Sequence, residues 1–149
     1  MSESVYANII FPLLHRELKQ TKATLISSTT HGFFTIRIMK RGVHKVTWFV
    51  VLRGRDAEPF VGTQQPSASS VEGLPTVEVA IEDKDLLKMI TGGMNGIKAY
   101  TTKKVAIKGD MVLARQVEQL FVKAGGVQKV MKYMKQNYPD FATDIKSKL

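Results

Sequence analysis

Residues 83–121 read DKDLLKMITGGMNGIKAYTTKKVAIKGDMVLARQVEQLF and alternate helix-forming, glycine-rich and strand-forming segments. Asp83 is suited to cap the N-terminus of a first helix, because a carboxylate there accepts free backbone N–H groups. Apolar residues such as Leu86 and Ile90 recur at helical spacing. Gly92–Gly93 can end the helix. The stretch therefore opens on a short helix with one apolar face.

The second half of this stretch predicts a strand followed by a longer helix. KVAIK at 104–108 alternates, which places Val105 and Ile107 on one face of a strand. Asp110 can cap the next helix, and Gly125–Gly126 can end it. The apolar stripe of that helix comprises Leu113, Val117, Leu120, Phe121 and Ala124. Two apolar helix faces meet one strand here, and none of the inward-facing candidates is a catalytic residue type.

Three segments of this stretch carry a resemblance to a known family. Residues 89–94 read MITGGM, residues 99–100 read AY, and residues 104–114 read KVAIKGDMVLA. This order resembles the core signature of the sterol carrier protein two (non-specific lipid-transfer) family. The similarity extends more weakly back to about Val5. Gly96–Ile97 stands where the family usually has Pro-Gln, so the ligand contact that the glutamine offers is absent.

The resemblance implies an α+β fold. It implies a five-stranded, mostly antiparallel sheet covered by helices, with a hydrophobic lipid tunnel between sheet and helices. It also implies that the N-terminal helix lies on the sheet, and that the segment Ala99–Tyr100, with its aromatic residue, marks the entrance of a strand.

Length and composition limit the classes of protein to consider. The chain has 149 residues and no cysteine, so we expect a single domain over 1–149 without disulfides or a thiol nucleophile. No apolar run is long enough to span a bilayer, and no secretory signal is recognisable. The net charge of +9 favours acidic partners. Because the basic residues are dispersed, we predict no nucleic-acid binding, only transient contact with anionic membranes.

The N-terminal segment predicts a helix, and the position of Pro12 determines whether that helix is divided or begins late. Residues 1–20 carry enough apolar side chains for one buried helix face. Either two helical segments meet at Pro12, or the clear helix starts there with proline in its first turn.

Three further strands and one doubtful strand follow from alternation. Phe34, Ile36 and Ile38 share one face of a first strand, and a polar turn at 40–42 leads into a second strand as an antiparallel hairpin. The opposite faces are apolar too, so we expect the sheet to be covered on both sides over part of its length. Residues 59–63 predict an edge strand, 64–75 a flexible loop, and 77–82 another strand.

The C-terminal region predicts an amphipathic helix followed by a targeting signal. Val127, Val130, Met131 and Met134 recur at helical spacing over about 127–138, so this amphipathic helix either completes the core or forms a lid over the tunnel. The tail, 139–149, ends in Ser147, Lys148 and Leu149, the receptor-read signal for the peroxisome matrix. We therefore expect the peroxisomal import receptor as a partner.

These observations predict a non-catalytic protein that binds and transfers fatty acid, fatty acyl-CoA or sterol, with no cofactor and no metal. None of the three histidines lies in a catalytic motif. Two alternatives remain: a peripheral membrane-surface protein, or an accessory domain that presents acyl-CoA to oxidation enzymes through Lys98, Lys103 or Lys104. Core and cavity walls share one composition, so part of the predicted lining can equally be core. That lining comprises Trp48, Val50, Ile81, Met89, Ile90, Met94, Tyr100, Ile107, Met111, Leu113, Val117, Leu120, Phe121, Met131 and Met134.

Overall fold

The computed structural model describes residues 5–20, 30–54, 58–90 and 96–116, together with Lys132 and Gln136. In chain order its elements are α1 (Ala7–Gln20), β1 (His31–Lys40), β2 (Val43–Arg53), β3 (Phe60–Gly62), a 3-10 turn (Ala68–Val71), β4 (Thr76–Glu82), α2 (Asp83–Ile90), α3 (Gly96–Thr101) and β5 (Val105–Gly109). Residues 111–116 are helical as well. No helix within these ranges combines the length and apolar character needed to cross a bilayer.

The strands form one sheet in the order β3-β2-β1-β4-β5. The β1–β2, β2–β3 and β4–β5 ladders are antiparallel, as the fold class predicts, whereas the central β1–β4 ladder is parallel. The hairpin turn between β1 and β2 is tight because Arg41 and Gly42 both adopt positive φ, at 54° and 78°. The carboxylate of Glu82 accepts the N–H groups of both turn residues, at 2.9 and 3.1 Å.

The core lies on one face of the sheet, beneath α1. Strand alternation points Phe34, Val50 and Val77 to this face, and each is almost completely buried. From α1, the ring of Phe11 stacks on Trp48 with their centroids 5.2 Å apart. The expected packing of the N-terminal helix on the sheet is thus confirmed.

The opposite face, here called the outer face, also carries apolar residues. Phe33 and Phe49 stack there with ring centroids 6.2 Å apart, and both are half-buried. Val51 is buried on the same face. Apolar side chains therefore lie on both faces, whereas the expectation that both faces are covered stays a prediction.

Pro12 neither separates two helical segments nor starts the helix, so both sequence-based expectations were wrong. α1 runs continuously from Ala7 to Gln20 with Pro12 inside it. The proline side chain is exposed, which keeps its ring out of the packed interface. Burial of Ile10, Phe11 and Leu14 offsets the loss of one helical hydrogen bond.

Ala99 and Tyr100 lie in a helix and not at a strand entrance, which corrects another expectation. They belong to α3, and β5 begins only at Val105. The turn between the two elements needs Lys103 at a φ of 62°. The Lys104 N–H closes this turn on the Ala99 carbonyl at 2.8 Å.

The predicted C-terminal helix (127–138) and the tail (139–149) lie outside the described residues, apart from helical positions at Lys132 and Gln136. Their roles, like the single-domain organisation, stay predictions.

Candidate lipid-binding site

Three predicted lining residues of the sheet lie in the buried core. Trp48, Val50 and Ile81 are each at most 8% exposed and belong to the cluster on the helix-covered face. The indole Nε1 of Trp48 donates to Asn8 Oδ1 at 3.1 Å, which satisfies its polar group. In the structure these three residues are therefore part of the packed core.

Burial decreases toward β4 and β5 on the same face. Val79 and Ile107 are paired across β4 and β5, and both are only partly buried. Met89 of α2 is likewise half-buried against the core. These three side chains are therefore among the partly exposed apolar residues of the helix-covered face, together with Tyr6, Ile9, Leu13 and Val46.

Leu113 fills the position directly above β1. A Cβ added to Gly32 would lie 2.5 Å from Leu113 Cδ2, so the glycine is what allows the leucine side chain to contact the strand. Leu113 itself is 3% exposed. Asp110 caps its helix as predicted, because the Leu113 N–H donates to Asp110 Oδ1 at 3.0 Å.

Two other predicted lining residues are exposed. Tyr100 and Met111 are 45% and 41% accessible, respectively. Tyr100 belongs to α3 and Met111 follows β5, so they stand near opposite ends of that strand. Tyr100 and Met111 could line one cavity together with Trp48 only if a bound ligand or a rearrangement covered these two exposed side chains.

The remaining predicted lining residues are outside the described part of the chain. Ile90 is the last residue of α2, but its side chain is not described. For the other residues of this group, neither backbone nor side chain is described: Met94, Val117, Leu120, Phe121, Met131 and Met134, and the signal residues Ser147, Lys148 and Leu149.

A buried carboxylate joins α2 to α1. The N–H group of Ala7, the first residue of α1, and that of Tyr6 directly before it donate to Asp83, at 3.0 and 2.6 Å. Asp83 is only 3% exposed. Burial raises the pKa of the Asp83 carboxyl above its ordinary value, although the two backbone hydrogen bonds and the charge of Lys40 oppose that shift. The sequence indicated a cap here, but it assigned that cap to α2.

A second acidic side chain, Asp85, is also 3% exposed. Its Oδ1 has no hydrogen-bond partner among the described residues. In the ranges that the structure covers, no three histidine, aspartate or glutamate side chains gather closely enough to hold a metal ion. The lysines considered for CoA phosphates, Lys98, Lys103 and Lys104, are all exposed.

The described residues thus form a mixed five-stranded sheet covered on one face by helices, with an apolar core between them. The model of the SCP-2 sterol transfer family matches residues 13–122. The chain therefore belongs to the SCP-2 sterol transfer family.

Two curated relatives are much longer proteins. Hydroxysteroid dehydrogenase-like protein 2 of Xenopus tropicalis is 30% identical over 92 residues, which is 62% of this chain and 20% of that protein. Peroxisomal multifunctional enzyme A of Dictyostelium discoideum is 28% identical over 114 residues, which is 76% of this chain and 24% of that enzyme. The chain thus spans a fifth to a quarter of the length of these relatives.

Solved structures show the same fold at low sequence identity. Apo sterol carrier protein 2 from Yarrowia lipolytica is 18% identical with a TM-score of 0.66, covering 83% of this chain and 95% of that one. Sterol carrier protein 2 from Aedes aegypti, in complex with the C16 fatty acid palmitate, is 14% identical with a TM-score of 0.55, covering 80% and 96%. The expected α+β architecture is confirmed.

Proposed function

We propose that this protein binds a long-chain lipid between the helices and the sheet and transfers it without chemical change. The observation that carries the proposal is the match of the chain to the SCP-2 sterol transfer family, together with apolar side chains such as Met89, Val79 and Ile107 that are only partly buried on the helix-covered face. The fatty acid held by the Aedes aegypti protein supports the ligand class. Fatty acid, fatty acyl-CoA and sterol share the apolar body that such a region accepts.

The energetics of transfer follow from burial alone. Each methylene removed from water contributes about 0.8 kcal/mol, so a chain of about fifteen methylenes gains roughly 12 kcal/mol. Association costs of about 4 to 15 kcal/mol reduce that gain to a micromolar or somewhat tighter affinity. Such binding shields the lipid from water and remains reversible, which is what a carrier requires. No covalent step and no cofactor enter this account.

Titration of delipidated protein with a fluorescent fatty acid tests the proposal. We expect saturable one-site binding, with competition by unlabelled fatty acid, acyl-CoA or cholesterol. Met89→Trp should weaken binding at least about tenfold, because the larger side chain would occupy space between the helices and the sheet, whereas Val43→Trp, at a position 56% exposed on β2, should not change it. Unchanged binding in a folded Met89→Trp variant, or no binding at all, would contradict the proposal.

We further propose that the protein works in the peroxisome matrix. The C-terminal Ser147-Lys148-Leu149 supports this through the import receptor. A relative named as a peroxisomal multifunctional enzyme supports it independently.

A second candidate function is presentation of acyl-CoA to an oxidation enzyme. The curated relatives favour it, since in both of them the similar region is a minor part of a longer protein named for an enzyme. The exposed Lys98, Lys103 and Lys104 would then contact the CoA phosphates. A strong preference for acyl-CoA over the free fatty acid in the same titration would select this function over general transfer.

A further inference from the structure

A cavity of about 540 Å³ opens on the outer face of the sheet, on the side opposite to α1. Its apolar wall comes from Val51 of β2, Phe60 of β3 and Pro66. Val51 and Phe60 are directly paired across the two strands, and both alternate with residues of the core face. The cavity is therefore separate from the proposed lipid region, and its size suits a small ligand.

An arginine held by backbone carbonyls forms one side of this cavity. Arg53 Nε and Nη2 donate to the Ser70 carbonyl at 3.1 and 2.6 Å, and Nη2 also reaches the Glu72 carbonyl at 3.4 Å. These contacts fix the guanidinium but do not neutralise it. Within the described part of the chain, no carboxylate pairs with Arg53. Its Nη1 edge is thus a fixed cationic donor for an anion.

Serine hydroxyl groups in the 3-10 segment and directly before it line the same cavity as Arg53. Ser67, Ser69 and Ser70 all line the cavity. The Ser67 and Ser69 hydroxyls lie 3.3 Å apart, and Ser70 Oγ donates to the Ser67 carbonyl at 2.8 Å. A tetrahedral phosphate has more acceptor oxygens than a carboxylate and can use the guanidinium and a serine hydroxyl together.

An acidic side chain and an aromatic ring also line the cavity and are suited to a cation. Glu58 is exposed and lines the same cavity as Phe60, whose ring is 38% accessible. The ring lies close to Gly62, where an added Cβ would be 3.0 Å from Phe60 Cζ. A carboxylate beside an open aromatic ring attracts an ammonium group through charge and through the ring quadrupole.

We propose that this outer cavity binds a zwitterionic phosphate ester of the phosphocholine or phosphoethanolamine kind. The phosphate lies on Arg53 and the serine hydroxyls, and the ammonium lies on Glu58 and Phe60. A simple anion is disfavoured by Glu58 and a simple cation by Arg53, so a ligand that carries both charges matches the site best. Such a group can come from a bilayer phospholipid or from a soluble ester. The proposal does not depend on lipid binding under the helices.

Amide chemical-shift titration of the full chain tests the proposal. We expect saturable shifts around residues 58–70 with phosphocholine or phosphoethanolamine, and binding about tenfold weaker with glycerol 3-phosphate or with choline alone. No saturable shift at tens of millimolar, or equal binding of glycerol 3-phosphate, would overturn it. Equal binding of free leucine would also overturn it, since the carboxylate would then replace the phosphate.

Matched variants on the outer face test which side chains bind the phosphate ester. Glu58→Gln should weaken phosphocholine about tenfold and leave glycerol 3-phosphate unweakened, while Glu78→Gln, exposed on the same face but outside the cavity, should change neither. Arg53→Gln should weaken both esters, with the exposed Arg37→Gln as its control. Identical affinities in wild type and Glu58→Gln would refute the assignment.

Vesicles identify the source of the ligand. Glu58-dependent sedimentation with phosphatidylcholine or phosphatidylethanolamine vesicles would assign the cavity to bilayer head groups. Binding of the free esters without such sedimentation would assign it to a soluble ester. Absence of both the sedimentation and the binding of the free esters would overturn the proposal. Fatty-acid titration of the same samples reports separately on the helix-covered face.

Discussion

Replacement of Asp83 by alanine should destabilise the protein far more than loss of an ordinary helix cap. The Asp83 carboxylate accepts the N–H groups of Tyr6 and Ala7 and thereby ties the start of α2 to the start of α1. The Ala7 hydrogen bond is buried and the Tyr6 bond is partly buried, so water cannot fully replace either acceptor. The substitution therefore leaves two backbone donors short of a partner in the interior.

The magnitude follows from these two contacts. A lost cap costs about 1 kcal/mol, and each buried donor left unsatisfied costs about 1 to 3 kcal/mol. Because one of the two donors is only partly buried, we expect Asp83→Ala to reduce the free energy of unfolding by about 3 kcal/mol. That loss is a large fraction of the roughly 5 to 15 kcal/mol that stabilises a typical domain.

The pH dependence has a definite sign. Burial raises the folded-state pKa of Asp83 above its ordinary value of 3.8, so the fold favours the protonated carboxyl. The stability from this group is fully present below pH 3.8 and is lost as the pH rises through the folded-state pKa. The free energy of unfolding of wild type relative to that of Asp83→Asn should therefore fall as the pH rises above 3.8.

Urea unfolding monitored by the single tryptophan, Trp48, measures both effects. Asp110→Ala is the matched control, because Asp110 makes one local cap at an exposed position and its loss should cost only about 1 kcal/mol. An equal cost for the two alanine variants would refute the reasoning on burial. A difference between wild type and Asp83→Asn that grows with pH would refute the assigned direction of the pKa shift.

Two further outcomes are expected. Gly32→Ala should lower the free energy of unfolding by about 1 to 3 kcal/mol in the same urea assay, because its Cβ would overlap Leu113; no loss would contradict this close contact. Deletion of the last three residues, Ser147–Leu149, should move a fluorescent N-terminal fusion from peroxisomes to the cytosol in cells, and unchanged punctate fluorescence would contradict the targeting role.

The local pattern of the sequence was sufficient to predict most of the helices and strands. Alternation places Phe34, Ile36 and Ile38 on one face of β1, and the structure buries all three. The hairpin and the Asp110 cap were predictable for the same reason, since both depend on residues only a few positions apart. Such contacts are encoded in one short window and need no knowledge of the rest of the fold.

Long-range partners could not be predicted in this way. Asp83 looks like a cap for its own helix, yet the N–H group of Ala7 that it binds lies 76 residues away. Pro12 looks like a helix boundary, but packing of the surrounding apolar residues overrides its intrinsic preference. Arg53 and Phe60 carry no motif, and only the register of β2 and β3 brings them to one cavity.

From the strand order, we expect the parallel ladder between β1 and β4 to form later in folding than the β1–β2 hairpin. β1 and β2 are joined by two residues, so their ladder can form within microseconds, whereas β4 must return past β3 before it pairs with β1. Asp83 follows β4 directly and can reach α1 only after that return. We therefore expect the hydrogen bonds of the Asp83 carboxylate to form late in folding. Loss of this carboxylate should accelerate unfolding while leaving the rate of folding nearly unchanged.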